Sequence, residues 1–210
     1  MITIACLAVA LQQSNDEAEA IHAKLVALLK PVKTLSGAVE VTWGADQKPT
    51  KYTFQMMKPN FLKMESKELC FYIDGKFDYA YMVDSKEYNK AEAEPDLIGA
   101  PWLTGFETFL GGPQPQYVFL KPREDKYGGK EAHVLRMDEK GATDTEYWLY
   151  LDKATSKPLG WEMRFESGEK ATGKYSDIEF DKPMKAEDFL WKPPSGAKQT
   201  DGGSARQWLR

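Results

Sequence analysis

An amphipathic helix over residues 14–30 is the first element that the pattern of apolar and polar positions predicts. Its apolar residues recur at three- and four-residue spacing and share one face: Ala18, Ile21, Leu25, Leu28 and Leu29. Ser14 and Glu17 have the spacing of a capping box, and Pro31 cannot continue the helix. The pattern therefore predicts a helix whose apolar face needs a surface to cover.

Strands follow, because the hydrophobic period changes to two residues from Leu35 onwards. Turn signals such as Asp74-Gly75 separate the alternating runs. Within 161–165 apolar residues alternate with charged ones, which is typical of an antiparallel sheet with one solvated face. The predicted strands cover residues 39–43, 52–56, 62–64, 69–73, 77–83, 87–90, 117–120, 132–137, 145–151, 159–165 and 172–180.

Residues 93–116 interrupt the strands with a second predicted helix. Its apolar residues fall at i, i+4, i+7 and i+8, and Gly111-Gly112-Pro113 ends it: Trp102, Phe106, Phe109 and Leu110. Together the elements predict an α+β fold, an incomplete, half-open antiparallel β-barrel with amphipathic helices covering its concave apolar face.

Aromatic side chains and methionine are unusually frequent, with 6 Trp, 10 Tyr, 10 Phe and 8 Met. Such residues pack cores, and they also line apolar cavities. If the concave face encloses a cavity, we expect its wall to contain Trp43, Tyr52, Phe54, Met56, Phe71, Trp161 and Met163. The expected lid of that cavity is the second helix, through Trp102, Phe106, Phe109 and Leu110. A dry packed core of the same residues is the alternative, and periodicity alone favours the core.

Charge and motif content argue against several function classes. The chain has 28 Lys and Arg against 32 Asp and Glu, with the signs interspersed, so no basic footprint for nucleic acid is present. With two His, two Cys and no sequence motif of a metalloprotease, nucleotide-binding loop or serine hydrolase, we expect no enzyme, no metal and no cofactor. His133 has no second His or Cys near it in sequence and is expected to be structural.

The N-terminal residues indicate an exported protein. Residues 2–11 are uncharged and too short to span a bilayer, but they fit the apolar region of a secretory signal. We therefore expect a signal peptide over 1–13, a single domain over 14–198 and a flexible tail over 199–210. A packed apolar element is the alternative for 2–11, and lipid attachment at Cys6 is disfavoured by the order of its flanking residues. The predicted location is the periplasm or the exterior.

Several different short motifs occur along the chain in a definite order. Residues 57–65 contain Lys58-Pro59 followed by Lys63 and Glu65, and the other motifs cover 72–76, 79–81, 148–159, 176–180 and 189–196. Their order and spacing resemble those of the periplasmic outer-membrane lipoprotein carriers, the LolA-like superfamily, over roughly residues 15–198. Lys63 stands where that family has arginine. The family's gating arginine on an early strand has no counterpart, since no arginine precedes Arg123.

The resemblance implies an incomplete barrel around a hydrophobic cavity that receives acyl chains. It implies a monomeric carrier that sequesters lipid or lipoprotein chains in the periplasm, with candidate partner proteins in the inner and outer membranes. The alternative of the same fold is an envelope regulatory or sensor module that docks a membrane partner. A lipid-modifying enzyme would need a buried carboxylate or histidine facing the cavity.

Overall fold

The computed structural model describes residues 14–44, 47–93, 103–106, 109, 117–139 and 145–200. Within them lie one α-helix, α1 (Asp16–Leu29), thirteen strands and a short 3-10 helix (Ala186–Phe189). The strands are β1 (Thr34–Trp43), β2 (Thr50–Met57), β3 (Phe61–Glu65), β4 (Leu69–Asp74), β5 (Phe77–Met82), β6 (Glu87–Glu92), β7 (Tyr117–Phe119), β8 (Arg123–Tyr127), β9 (Lys130–Glu139), β10 (Thr145–Asp152), β11 (Pro158–Phe165), β12 (Lys170–Phe180) and β13 (Lys198–Gln199).

The predicted first helix is present, but its cap differs from the predicted one. Asn15 is the N-cap, and its Oδ1 accepts a hydrogen bond of 3.1 Å from the Ala18 backbone N–H. The Ser14 hydroxyl instead accepts a bond from the Phe119 backbone N–H. The predicted capping box is therefore wrong, because Ser14 ties the start of the helix to β7. No helix in the described ranges has the length and apolar character to cross a membrane.

All thirteen strands belong to a single unclosed sheet. Its order is β13-β6-β5-β4-β3-β2-β1-β12-β11-β10-β9-β7, and β8 also pairs with β9. Neighbouring strands are antiparallel except β13, which runs parallel to β6. The open, mostly antiparallel sheet with a helix on it is thus confirmed, while β13 makes the sheet mixed.

Two strands, β8 and β13, were not predicted. β8 reads Arg-Glu-Asp-Lys-Tyr and has four exposed residues, so no hydrophobic alternation marks it. Charged residues of this kind protect an edge strand from pairing with other chains. β13 consists of two residues, and the Thr200 N–H donates to the Tyr88 carbonyl next to it. The predicted tail boundary at 199 therefore falls inside paired backbone, while residues 201–210 lie outside the described residues, as do residues 1–13.

The second predicted helix is not confirmed. Of its residues the structure describes 103–106 and 109, which form successive tight turns. The Phe106 N–H donates to the Leu103 carbonyl at 2.8 Å, and the Phe109 N–H donates to the Phe106 carbonyl at 2.9 Å. Trp102 and Leu110 lie outside the described residues.

The core lies between α1 and one face of the sheet, which we call the inner face. The apolar stripe of α1, including Ile21 and Leu25, packs with inner-face residues of β1–β5 and β9–β12 in one continuous cluster. Gly173 is required there, since a Cβ at this position would lie 2.2 Å from the Trp161 indole nitrogen. The inner face therefore provides the large apolar surface that the sequence predicts.

The opposite, outer face is covered in part by residues 182–200, which we call the C-terminal strap. Phe189 packs on Phe61 with 5.5 Å between ring centroids. Trp191 lies against four tyrosines of β4, β5 and β6 at 5.2–6.0 Å: Tyr72, Tyr79, Tyr81 and Tyr88. The strap thus lies on the face opposite α1.

Candidate functional site

Residues 103–106 and 109, which we call the plug, pack against the inner face. Leu103, Phe106 and Phe109 are each at most 1% exposed. The Phe106 ring lies 6.0 Å from that of Phe54 and 5.1 Å from that of Tyr175. The Tyr175 hydroxyl donates a 2.9 Å hydrogen bond to the Thr104 carbonyl. The plug is therefore held by apolar burial and a side-chain hydrogen bond, with no β-pairing among its described residues.

A glycine lets the plug approach the sheet closely. Gly105 has φ +93°, a conformation that residues with a side chain rarely adopt. A Cβ at Gly105 would lie 3.0 Å from the Leu149 Cδ1 and 3.2 Å from the Pro158 ring. The plug backbone therefore rests directly on β10 and the start of β11.

Most of the predicted wall residues are brought together. Six lie on the inner face of β2, β4 and β11 and are at most 8% exposed: Tyr52, Phe54, Met56, Phe71, Trp161 and Met163. Trp43 is only half-buried, at the end of β1, where its ring stacks on Phe165 at 6.2 Å. Phe106 and Phe109 cover these residues as part of the plug. That they bind a ligand stays a prediction.

The described residues of the inner face form one continuous buried cluster. Clefts lined by described residues open elsewhere, among polar side chains. One of about 740 Å³ lies between Arg136 and Lys170, and another of about 280 Å³ lies on the outer face near Lys51.

Lys58 connects three elements at one end of this interior. Its Nζ donates to the carbonyls of Leu29 and Lys30 at 3.0 and 2.9 Å, at the end of α1. The same ammonium lies 4.9 Å from the centroid of the Phe109 ring. Burial lowers the pKa of Lys58, and the charge of Asp181 opposes that shift. Sequence reasoning missed this role, although Lys58 continues the even-numbered inner-face register of β2.

The middle of α1 is fixed to β7 by an aromatic contact. The imidazole of His22 lies 5.0 Å from the Phe119 ring and 6.4 Å from that of Tyr117, both in β7. Burial lowers the pKa of His22 below its usual value. The helix that covers the inner face is therefore anchored at its start through Ser14, at its middle through His22 and at its end through Lys58.

Polar chemistry is sparse at the inner face. No group of His, Cys, Asp and Glu side chains in the described ranges could hold a metal ion. Asp78 lies in β5 and is 1% exposed, beside the buried Asn89 of β6. Both belong to the inner-face register with Ala80. That the protein is not an enzyme stays a prediction.

Residues of the motifs over 57–65 and 72–76 stabilise the hairpins of β3, β4 and β5. Lys63 pairs with Glu65 at 3.2 Å, and the Tyr72 hydroxyl donates to the same carboxylate. The Asp74 carboxylate accepts from the backbone N–H groups of Lys76 and Phe77 in the tight turn. These residues lie on the outer face or in a turn, so their role is to fix the sheet.

Sequence comparison gives one distant curated relative. The chain is 24% identical over 195 residues to an uncharacterised protein of Methanocaldococcus jannaschii, a match that covers 92% of this chain. The chain spans 56% of the length of that relative. No protein-family model matches the chain.

Solved structures also match the fold of this chain. An uncharacterised conserved protein of Thermus thermophilus matches with a TM-score of 0.58 at 14% identity, over 88% of this chain and 99% of its own. A LolA superfamily protein of Nitrosomonas europaea matches with a TM-score of 0.42 at 12% identity, over 83% of this chain and 97% of its own. The likeness to the Thermus thermophilus protein shows a shared fold.

Proposed function

We propose that the protein sequesters the hydrocarbon chain of a lipid or lipoprotein on the inner face of the sheet. The plug is the observation that carries this proposal. It buries Leu103, Phe106 and Phe109 against a wall of aromatic and methionine side chains without joining the sheet by β-pairing. A hydrocarbon chain can replace such a plug with little loss, because both offer the wall the same apolar contacts.

The free energies of exposing the plug and of burying a ligand chain agree with an exchange of this kind. Exposing three buried large apolar side chains costs about 5–9 kcal/mol, whereas a sixteen-carbon chain gains about 12 kcal/mol on leaving water. A bilayer offers the chain the same gain, so a carrier needs only to match the membrane. Methionine and aromatic walls adapt to either occupant, which supports reversible loading.

The role that follows is a monomeric carrier in the cell envelope. The uncharged run over 2–11 and the resemblance to the lipoprotein carriers support a location in the periplasm or outside the cell. A carrier there would receive its ligand at the inner membrane and release it at the outer membrane. Partner proteins in those membranes are part of this proposal.

The first test is the identification of lipids that copurify with the protein, by mass spectrometry after extraction. The second is titration with N-phenylnaphthylamine, a neutral apolar dye that fluoresces in apolar surroundings. We expect copurified lipid, and dye binding that palmitate displaces. A protein without lipid that leaves the dye unbound would contradict the proposal, and a stable envelope partner recovered by crosslinking would then favour the regulatory module.

A matched pair of variants locates the site. Phe106→Ala removes a buried ring from the plug, and Phe189→Ala removes an equally buried ring of the strap on the outer face. Each should lower stability by about 3–5 kcal/mol. Only Phe106→Ala should tighten dye binding, by about a hundredfold or more, because it weakens the closed state alone. Equal effects of the two variants would place the dye elsewhere.

A further inference from the structure

Lys58 is positioned to meet whatever replaces the plug. It follows β2 in the register of Phe54 and Met56, whose side chains form the inner wall. Its ammonium contacts the ring of Phe109, the last described residue of the plug, at 4.9 Å from the ring centroid. If Phe109 moves away, the face of this ammonium that the ring covers is exposed at the end of the vacated space.

Within the described ranges, no ion pair neutralises the charge of Lys58. Its hydrogen-bond acceptors in the described residues are two backbone carbonyls at the end of α1, and an ammonium has three donors. Asp181 acts on it electrostatically without an ion pair between them. Lys30 and Lys33 carry exposed side chains at the same end, and the Lys58 N–H donates to the Lys33 carbonyl. We call Lys30, Lys33 and Lys58 the basic rim.

We propose that the ligand carries an anionic head group, a carboxylate or a phosphate, which the basic rim binds through Lys58. The inference rests on the proposed function, since it concerns the head of the chain that the inner wall receives. An oxyanion replaces the contact between the ammonium and the Phe109 ring with a charge-assisted hydrogen bond. A neutral acylglycerol offers no such compensation, so the rim selects among lipids of equal chain length.

The test compares three sixteen-carbon ligands below their micelle concentrations: palmitate, palmitoyl-lysophosphatidylglycerol and monopalmitoylglycerol. Affinities are measured by displacement of N-phenylnaphthylamine from the full chain. We expect at least one anionic ligand to bind about tenfold or more tightly than the neutral one. Whichever anionic ligand binds more tightly identifies the carboxylate or the phosphate as the preferred head. Raising salt from about 0.05 to about 0.5 M should weaken anionic binding only.

Variants assign the effect to Lys58. Lys58→Gln should reduce the anionic-to-neutral affinity ratio to near one, and Lys58→Arg should keep it. The ratio is the readout, because loss of the contacts to α1 and Phe109 can change the affinity for every ligand by the same factor. Lys90→Gln is the matched control, since the Lys90 ammonium lies 3.8 Å from the Phe77 ring centroid, away from the rim. It should leave the ratio unchanged.

The outcomes separate the two proposals. Equal affinity for all three ligands, or a ratio that Lys58→Gln leaves intact, overturns the inference while the proposed function stands. Failure of every ligand to displace bound dye, or of the dye to bind, overturns the proposed function and the inference with it. A salt-independent affinity for both anionic ligands also overturns the inference, and this measurement does not depend on how any variant folds.

Discussion

The hydroxyl of Tyr175 in β12 donates a 2.9 Å hydrogen bond to the carbonyl of Thr104 in the plug. Tyr175 also lies edge-on to the rings of Phe54 and Phe106, at 6.2 and 5.1 Å. One inner-face side chain therefore contacts both the wall and the plug. It holds the plug closed through a hydrogen bond that a displaced plug cannot make.

Tyr175→Phe should favour the open plug. The substitution keeps the ring and removes the hydroxyl, so it weakens the closed state by about 1 kcal/mol, the usual value of one hydrogen bond. Dye binding should tighten about fivefold, and the amide hydrogens of 103–106 should exchange faster. Unchanged exchange in that segment, with stability lowered elsewhere, would contradict the assignment of Tyr175 to closure.

A matched control for this prediction is Tyr127→Phe. The Tyr127 hydroxyl donates to the Gly173 carbonyl at 3.1 Å, and its ring stacks on Tyr150 at 4.4 Å, away from the plug. Tyr127→Phe should lower the free energy of unfolding by a similar amount without affecting dye binding. A fivefold gain in the control as well would show that general loosening of the sheet controls ligand entry.

The pH dependence of stability should contain a contribution from His22. Burial lowers its pKa from 6.5 in the folded protein, so the unfolded chain binds the proton more readily. The stability that His22 contributes is therefore fully present above pH 6.5, and it is lost as the pH falls towards the lowered pKa. Thermal unfolding between pH 7.5 and 5.0 should show a drop in Tm that His22→Phe reduces. An identical drop in the variant would mean that other groups cause it.

Period-two alternation was enough to predict eleven strands, including the inner-face positions of Phe54 and Trp161. β8 was not predicted because an exposed edge strand has no buried face to create an alternating pattern. The choice of Asn15 over Ser14 as helix cap depended on a tertiary contact, since both residue types cap helices well. Lys58 could have been placed on the inner face by register, but its contact with α1 depends on how the helix lies on the sheet.

Gly173→Ala should disturb the inner wall strongly. The added Cβ would lie 2.2 Å from the indole nitrogen of Trp161, whose side chain is fully buried. Overpacking of this kind usually costs about 1–3 kcal/mol. We expect a lower Tm and a change in tryptophan emission. Gly129→Asn is the control, because its space is open and asparagine tolerates the positive φ; a loss of equal size there would contradict the packing explanation.

Trp191→Ala should release the C-terminal strap without opening the inner face. The indole ring lies 5.2 Å from the rings of both Tyr79 and Tyr88 on the outer face. Its loss should make 182–200 sensitive to limited proteolysis and lower the unfolding free energy by about 3 kcal/mol, the low end for large aromatic truncations. Dye affinity should stay within twofold of the unaltered protein, because plug and strap lie on opposite faces of the sheet. A large change in affinity would show that the strap controls the inner face as well.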